Sequence, residues 1–221
     1  PVKVLFEGLD LDTYCKIKSS DIKPTIINEL KDIHNDFCYL FVGHWLKGNI
    51  GEDRKDIGMM IKTFCETFKR KSKQNKPALI LKTSHATFSI MDRDQVMSKV
   101  QQIIAPYGTD APDIYILHGD LSDNEMNSLY NHPKIKAMIS FTKGEGFGRP
   151  LLEFSITGKP VLASGWSGQL DFLHNDYCTL LPGEMTDVHG SAADKFIMKG
   201  TKWFTVNYQY ASRVIADVKK I

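Results

Sequence analysis

The sequence predicts an α/β fold, a doubly wound parallel sheet of about six strands. Three observations carry that expectation. Short apolar runs bounded by turn residues alternate with segments of helical apolar periodicity. The helical segments stay short of about twenty residues, which suits right-handed crossovers between parallel strands. Glycine-rich stretches follow the apolar runs where strand ends would lie, as at 144–148 and 165–168.

Residues 1–14, PVKVLFEGLDLDTY, read as a short strand through Val2, Val4 and Phe6, a turn at Gly8 and a departure. Residues 15–36 are mixed and polar; Pro24 and the spacing of Ile26, Ile27, Leu30 and Ile33 allow a short helix. The first sheet strand is Phe37–Val42, ending at Gly43. A loop with Gly48 and Gly51 leads past Arg54 and Lys55 to a helix whose Ile57, Met60, Ile61, Phe64 and Phe68 form one buried face. Lys69–Lys76 reads as its solvated basic end. Ala78–Lys82 is the second strand, and Val96, Val100, Ile103 and Ile104 mark the second helix. The third strand is Ile114–Leu117. His118-Gly119-Asp120-Leu121 then runs into the capping box Ser122-x-x-Glu125, with Met126, Leu129 and Tyr130 facing the core. The fourth strand is Lys136–Phe141, followed by a glycine loop, a helix over about 149–158 and a fifth strand at 160–164. The loop Gly165–Gly168, a short helix and a sixth strand near Thr179–Leu181 come next. Two helices are expected to close the chain, Trp203 and Phe204 opening the last and Tyr208, Ala211, Ile215 and Val218 sharing one face.

At 221 residues the chain is long enough for one α/β domain with a sizeable core, and 42% hydrophobic with 24% charged residues is ordinary for a soluble globular protein. A net charge of +2 gives no concentrated basic face, so nucleic acid is not expected as a partner. Cys15, Cys38, Cys65 and Cys178 form no C-x-x-C pair and fit reduced thiols better than a disulfide frame or zinc site. No apolar run is long enough for a transmembrane segment and no signal peptide is evident, so a cytoplasmic protein is expected.

The chemistry concentrates at Lys143–Leu173. Gly144, Gly146 and Gly148 leave positions without Cβ, so the backbone can turn sharply and approach a ligand closely. Pro150 suits the first helical position, and Leu151, Leu152 and Phe154 begin an apolar face. A glycine loop feeding a helix N-terminus presents unpaired N–H groups and the positive dipole end to an anion. Glu145 and Glu153 flank that site. Carboxylates there would repel phosphate, so they suit neutral hydroxyls of a sugar or ribose; the plainer role for Glu153 is complementing the helix dipole.

Glu145-Gly-Phe-Gly-Arg-Pro-Leu-Leu-Glu153, followed by Gly158-Lys159-Pro160-Val161 and Ala163-Ser164, resembles the E-x7-E signature of retaining glycosyltransferases with the GT-B fold, the group that includes glycogen synthases, sucrose synthases and bacterial mannosyltransferases. The resemblance implies one Rossmann-like half of a GT-B protein: residues 1–14 as the interdomain linker and 15–221 as the C-terminal nucleotide-sugar-binding domain. It implies that Glu153 binds the ribose hydroxyls and that Glu145 contacts the transferred sugar. Gly146, the amides around Phe147 and Gly148, and the loop Gly165, Ser167, Gly168 would hold donor sugar and diphosphate. Gly43 and Lys55 match the family's glycine and leaving-group lysine, but His44 stands where an arginine is usual. Arg54 or Arg149 would substitute, or protonated His44 would serve. Lys82-Thr83-Ser84 also departs from the glycine-rich turn usual after the second strand. No cofactor and no metal are implied. The implied partners are a nucleotide sugar or nucleoside diphosphate and an N-terminal acceptor-binding Rossmann-like domain.

In a doubly wound sheet, ligands bind beyond the carboxyl ends of the strands. The loops there are 43–55, 83–91, 118–122 (with His118 and Gly119), 142–149 and 165–168. Asp92-Arg-Asp94 mimics a metal-binding D-x-D, but its place at a helix start suits capping. Trp45 and Trp166 fall in rim loops, where they could stack on a base or sugar or pack in the core. A non-catalytic nucleotide-sugar-binding or assembly module is the alternative reading. A nicotinamide-binding domain is disfavoured because no G-x-G-x-x-G follows the first strand.

Overall fold

A computed structural model of the chain describes residues 2–3, 5–72, 76–85 and 87–220. Six parallel strands form one sheet: β1 (Cys38–Val42), β2 (Ala78–Lys82), β3 (Ile114–Leu117), β4 (Ile135–Ser140), β5 (Val161–Ser164) and β6 (Thr179–Leu181). Their spatial order is β3-β2-β1-β4-β5-β6. The chain winds outward from β1 in one direction, returns to β4 beside β1, and winds outward in the other. The doubly wound expectation holds, with the switch point between β1 and β4.

Both faces of the sheet are covered, and the strands read as continuous apolar runs for that reason. In β1, Tyr39 and Phe41 enter one core with α2 (Ile57–Phe68), α3 (Ile90–Ile104) and α6 (Tyr208–Val218). Cys38 and Leu40 enter the other with α1 (Pro24–Leu30), α4 (Asp123–Asn131) and α5 (Arg149–Ser155). The two-residue alternation of a strand sends neighbours to opposite sides. The α2 stripe predicted from sequence is fully used: Ile57, Met60, Ile61 and Phe64 are each 0% exposed. Burying a side chain such as Phe64 stabilises the fold by roughly 1.5–3 kcal/mol. The Ser122/Glu125 capping box opens α4. Among the described residues no helix is long and apolar enough to cross a membrane.

Several expectations are corrected. The described residues 2–3 and 5–10 form no strand, and Leu5 and Phe6 are exposed; Val4 lies outside the described residues. Ile27 of α1 faces solvent, while Ile26, Leu30 and Ile33 are buried. The end of the basic run 69–76 is not solvated, because Lys76 is buried and donates to the Asp110 carbonyl at 2.8 Å; residues 73–75 lie outside the described set. The helical cap at α3 is Ser89. Asp92 instead turns back, accepting from the backbone N–H groups of His85 (2.8 Å) and Thr87 (3.3 Å). Trp45 is core.

The largest correction is at the C-terminus. One helix closes the chain, not two, and it follows an antiparallel hairpin of β7 (Gly183–Asp187) and β8 (Lys202–Val206). Trp203 and Phe204 lie in β8 rather than opening a helix. The exposed, polar β7 carries no apolar signal. Its pairing depends on Gly183, where a Cβ would fall 2.1 Å from the Thr205 carbonyl oxygen.

Candidate functional site

A cavity of about 320 Å³ opens at the carboxyl end of the sheet. It is lined by Gly43, His44, Arg54 and Lys55 after β1, by Lys82–Ser84 and Phe88 after β2, by Asp120 and Leu121 after β3, and by Pro150 of α5. These are the loops that the doubly wound arrangement brings together.

At its edge the two sides of the switch point meet. Lys55, from the β1 side, donates through Nζ to Oε1 of Glu145, from the β4 side. Arg54 Nη1 lies 3.3 Å from the other carboxylate oxygen and donates to the Gly144 carbonyl at 2.7 Å. Gly43 makes room for this: a Cβ there would sit 3.0 Å from the Phe41 ring and 3.5 Å from Lys55 Cε. Burial works to raise the Glu145 carboxyl, but Lys55 and Arg54 outweigh it and hold it below the usual carboxylate range. Burial lowers the Lys55 ammonium, with Glu145 opposing.

The Glu145 loop is held by its neighbour after β5. Ser167 Oγ donates to the Glu145 carbonyl at 2.7 Å and accepts from the Glu145 N–H at 3.1 Å. Gly168 N–H adds a bond of 3.2 Å to the same carbonyl. Ser167 stands at φ 79°, ψ −161°, a region that costs a non-glycine residue on the order of 1–3 kcal/mol. Gly168 has no substitute, because a Cβ there would lie 2.0 Å from the Gly146 carbonyl oxygen.

Solved structures share this architecture. The C-terminal domain of a glycosyl transferase group 1 family protein (LpcC) from Francisella tularensis aligns over 95% of this chain and 85% of its own, with 15% identity and a TM-score of 0.56. Anabaena Alr3699/HepE, solved in complex with UDP and glucose, aligns over 97% of this chain and 46% of its own, with 18% identity and a TM-score of 0.58. The N-terminal domain of Candida albicans trehalose-6-phosphate phosphatase aligns over 92% of this chain and 40% of that one, with 14% identity and a TM-score of 0.55. The fold is that of a GT-B C-terminal domain. This chain spans about half the length of the HepE chain. No protein-family model matches the sequence, and no curated protein matches it.

Within this GT-B half, the remaining sequence-predicted residues divide. His44 lines the cavity with Nδ1 2.9 Å from Ser84 Oγ. Burial first, then Lys55 and Lys82, push its ring below the usual histidine value, so it is neutral at pH 7 and supplies no cation. Arg149 is half-exposed and pairs with Glu7 at 2.7 Å, away from the cavity lining. Glu153 is 5% exposed and accepts from Tyr130 Oη–H at 2.7 Å, one helical turn beyond Pro150. Burial raises its carboxyl despite the Tyr130 bond. His118 Nε2 is 2.9 Å from Asp92 Oδ2, and the Gly119 carbonyl accepts from Lys82 Nζ. Phe147 packs its ring against Phe6 and Phe172, at 5.2 and 5.1 Å between centroids. Gly148 takes the left-handed conformation that opens α5. Gly165 hydrogen-bonds to the β6 backbone at Leu181. Gly146, Gly165, Ser167 and Gly168 are not among the cavity-lining residues.

The sequence reading passed over Lys82 and Phe88 as site residues. The rule that places ligands beyond strand ends would have reached Lys82, the last residue of β2.

Proposed function

We propose that this chain is the donor-binding domain of a glycosyltransferase that uses a nucleotide sugar. The observation that carries the reading is the meeting of Lys55 and Arg54 with Glu145 across the switch point, beside a cavity of nucleotide-accommodating size. The UDP and glucose bound by HepE, a protein of the same fold, support it. In this proposal the nucleoside diphosphate lies along the loops after β1, β2 and β3. Lys55 and Arg54 neutralise the charge that develops on the departing diphosphate, an electrostatic role expected to be large. Glu145, already ionised by its two cations, accepts from a hydroxyl of the transferred sugar. Glu153 accepts from the ribose hydroxyls beside its bond to Tyr130. The E-x7-E resemblance adds retention of anomeric configuration and independence of metal. An N-terminal Rossmann-like domain would hold the acceptor.

Calorimetry with a panel of nucleoside diphosphates, beside a transfer assay on the same sample, tests this. Binding without transfer is expected, because placing the acceptor against the anomeric carbon contributes about 7–11 kcal/mol that one half of the cleft does not supply. Lys55→Ala lowers diphosphate affinity. Failure to bind any nucleotide refutes the proposal, and transfer by the isolated chain refutes its division of labour. The neutral His44, where the family has an arginine, favours a non-catalytic nucleotide-sugar-binding module as the second reading; a full-length protein that binds the donor without turning it over would establish that one.

A further inference from the structure

We infer that Lys82 is an anion-binding residue of this cavity, gripping the phosphate chain of the nucleotide from the end of β2; the inference rests on the nucleotide-sugar reading above. Lys82 pairs in register with Val42 at the end of β1, and the Gly43 N–H donates to its carbonyl at 3.1 Å. Its side chain therefore starts beside the loop that carries His44, and it ends at the loop after β3, where Nζ donates to the Gly119 carbonyl. The ammonium sits 5.4 Å from the centre of the Phe88 ring, which also lines the cavity. One side chain thus crosses the cavity wall from the β1 side to the β3 side.

The balance of charge gives the reason to expect a ligand there. Arg54 and Lys55 share Glu145. Among the described residues no carboxylate comes within ion-pair distance of Lys82; Asp120 lines the same cavity and acts on it only at longer range. Its hydrogen bond goes to a neutral carbonyl. A partly buried ammonium without a carboxylate partner is costly to hold, and burial accordingly lowers its proton affinity. An incoming phosphate oxygen would supply the missing charge. Two half-neutralised cations on one side and an unpaired one on the other match a group with several negative oxygens in a row, such as a diphosphate, better than a single carboxylate.

The test compares wild type, Lys82→Met, which keeps the apolar stem, and Lys82→Arg, which keeps the charge. Each is titrated with UDP, GDP and ADP, with the matching nucleosides, and with inorganic pyrophosphate. Lys82→Met is expected to lose about tenfold or more in affinity for the best diphosphate and for pyrophosphate, while nucleoside affinity changes less than about twofold. Lys82→Arg is expected to recover most of the loss. Diphosphate affinity unchanged in Lys82→Met overturns the inference, and so does an equal loss for nucleoside and diphosphate, which marks a structural role. Wild type that binds pyrophosphate through Lys82 but binds no nucleotide leaves the anion site standing and refutes the nucleotide-sugar reading. Wild type that binds neither refutes both.

Discussion

Lys143→Met is expected to destabilise the protein far more at pH 8 than at pH 5.5. Lys143 follows β4 by three residues and its side chain is 2% exposed. Its Nζ lies 3.4 Å from Asp56 Oδ2 and 3.1 Å from Thr205 Oγ1, and 5.3 Å from the centre of the Trp203 ring. Asp56 is 0% exposed, accepts from Tyr208 Oη–H at 2.6 Å, and opens α2 in the left-handed conformation, φ 54°. Burial raises its carboxyl from 3.8 to about 7, with Lys143 and Tyr208 opposing and the neighbouring Asp53 adding to the rise. The folded state therefore holds a proton between those values that the unfolded chain has released. That contribution is complete below about 3.8 and is lost as pH rises through about 7. Asp53, also buried and raised, acts in the same direction.

At pH 8 the wild-type Asp56 is ionised against Lys143, so removing the ammonium strands a buried charge at a cost of about 3–5 kcal/mol. For a chain of this length that corresponds to roughly 6–20 °C in Tm. At pH 5.5 Asp56 is already neutral, and the loss reduces to the bond to Thr205 and the ring contact, about 1–2 kcal/mol. Urea denaturation of both proteins at both pH values measures this. Asp56→Asn in the Lys143→Met background should recover much of the pH 8 loss, because Asn tolerates the left-handed backbone and carries no charge. Equal losses at the two pH values, or no recovery in the double variant, would refute the reasoning.

Gly168→Ala forces a Cβ against the Gly146 carbonyl, so it should cost about 1–3 kcal/mol and, by displacing the Glu145 loop, weaken nucleoside diphosphate binding; titration and thermal melts on one sample read both effects, and an unchanged affinity would show that the loop tolerates the shift. Glu153→Gln should weaken binding of a nucleoside diphosphate by about 1.5–3 kcal/mol while leaving pyrophosphate affinity intact. Equal losses for the two ligands would assign Glu153 to Tyr130 and the helix dipole alone.

The sheet was legible in the sequence because its strands are buried on both faces. Continuous apolar runs such as CYLFV and ALILK, each followed by turn residues and a helical stripe, leave little else to form. The E-x7-E segment was legible for a related reason: close backbone approach admits only glycine, so Gly168 and Gly148 mark their loops in any reading. The terminal hairpin was not legible. β7 faces solvent and has no hydrophobic period, and its pairing with β8 is a long-range backbone contact that local pattern does not encode. The state of each charged group was likewise decided by tertiary structure. Sequence offered His44, Arg54 and Arg149 as interchangeable cations; folding surrounded His44 with lysines, turned Arg149 to Glu7 and brought Arg54 to Glu145. Lys82 read as the polar end of a strand until the fold set it between the Gly43 and Gly119 loops. Proton affinity and charge balance depend on what lies within a few ångströms, and those neighbours come from distant parts of the chain.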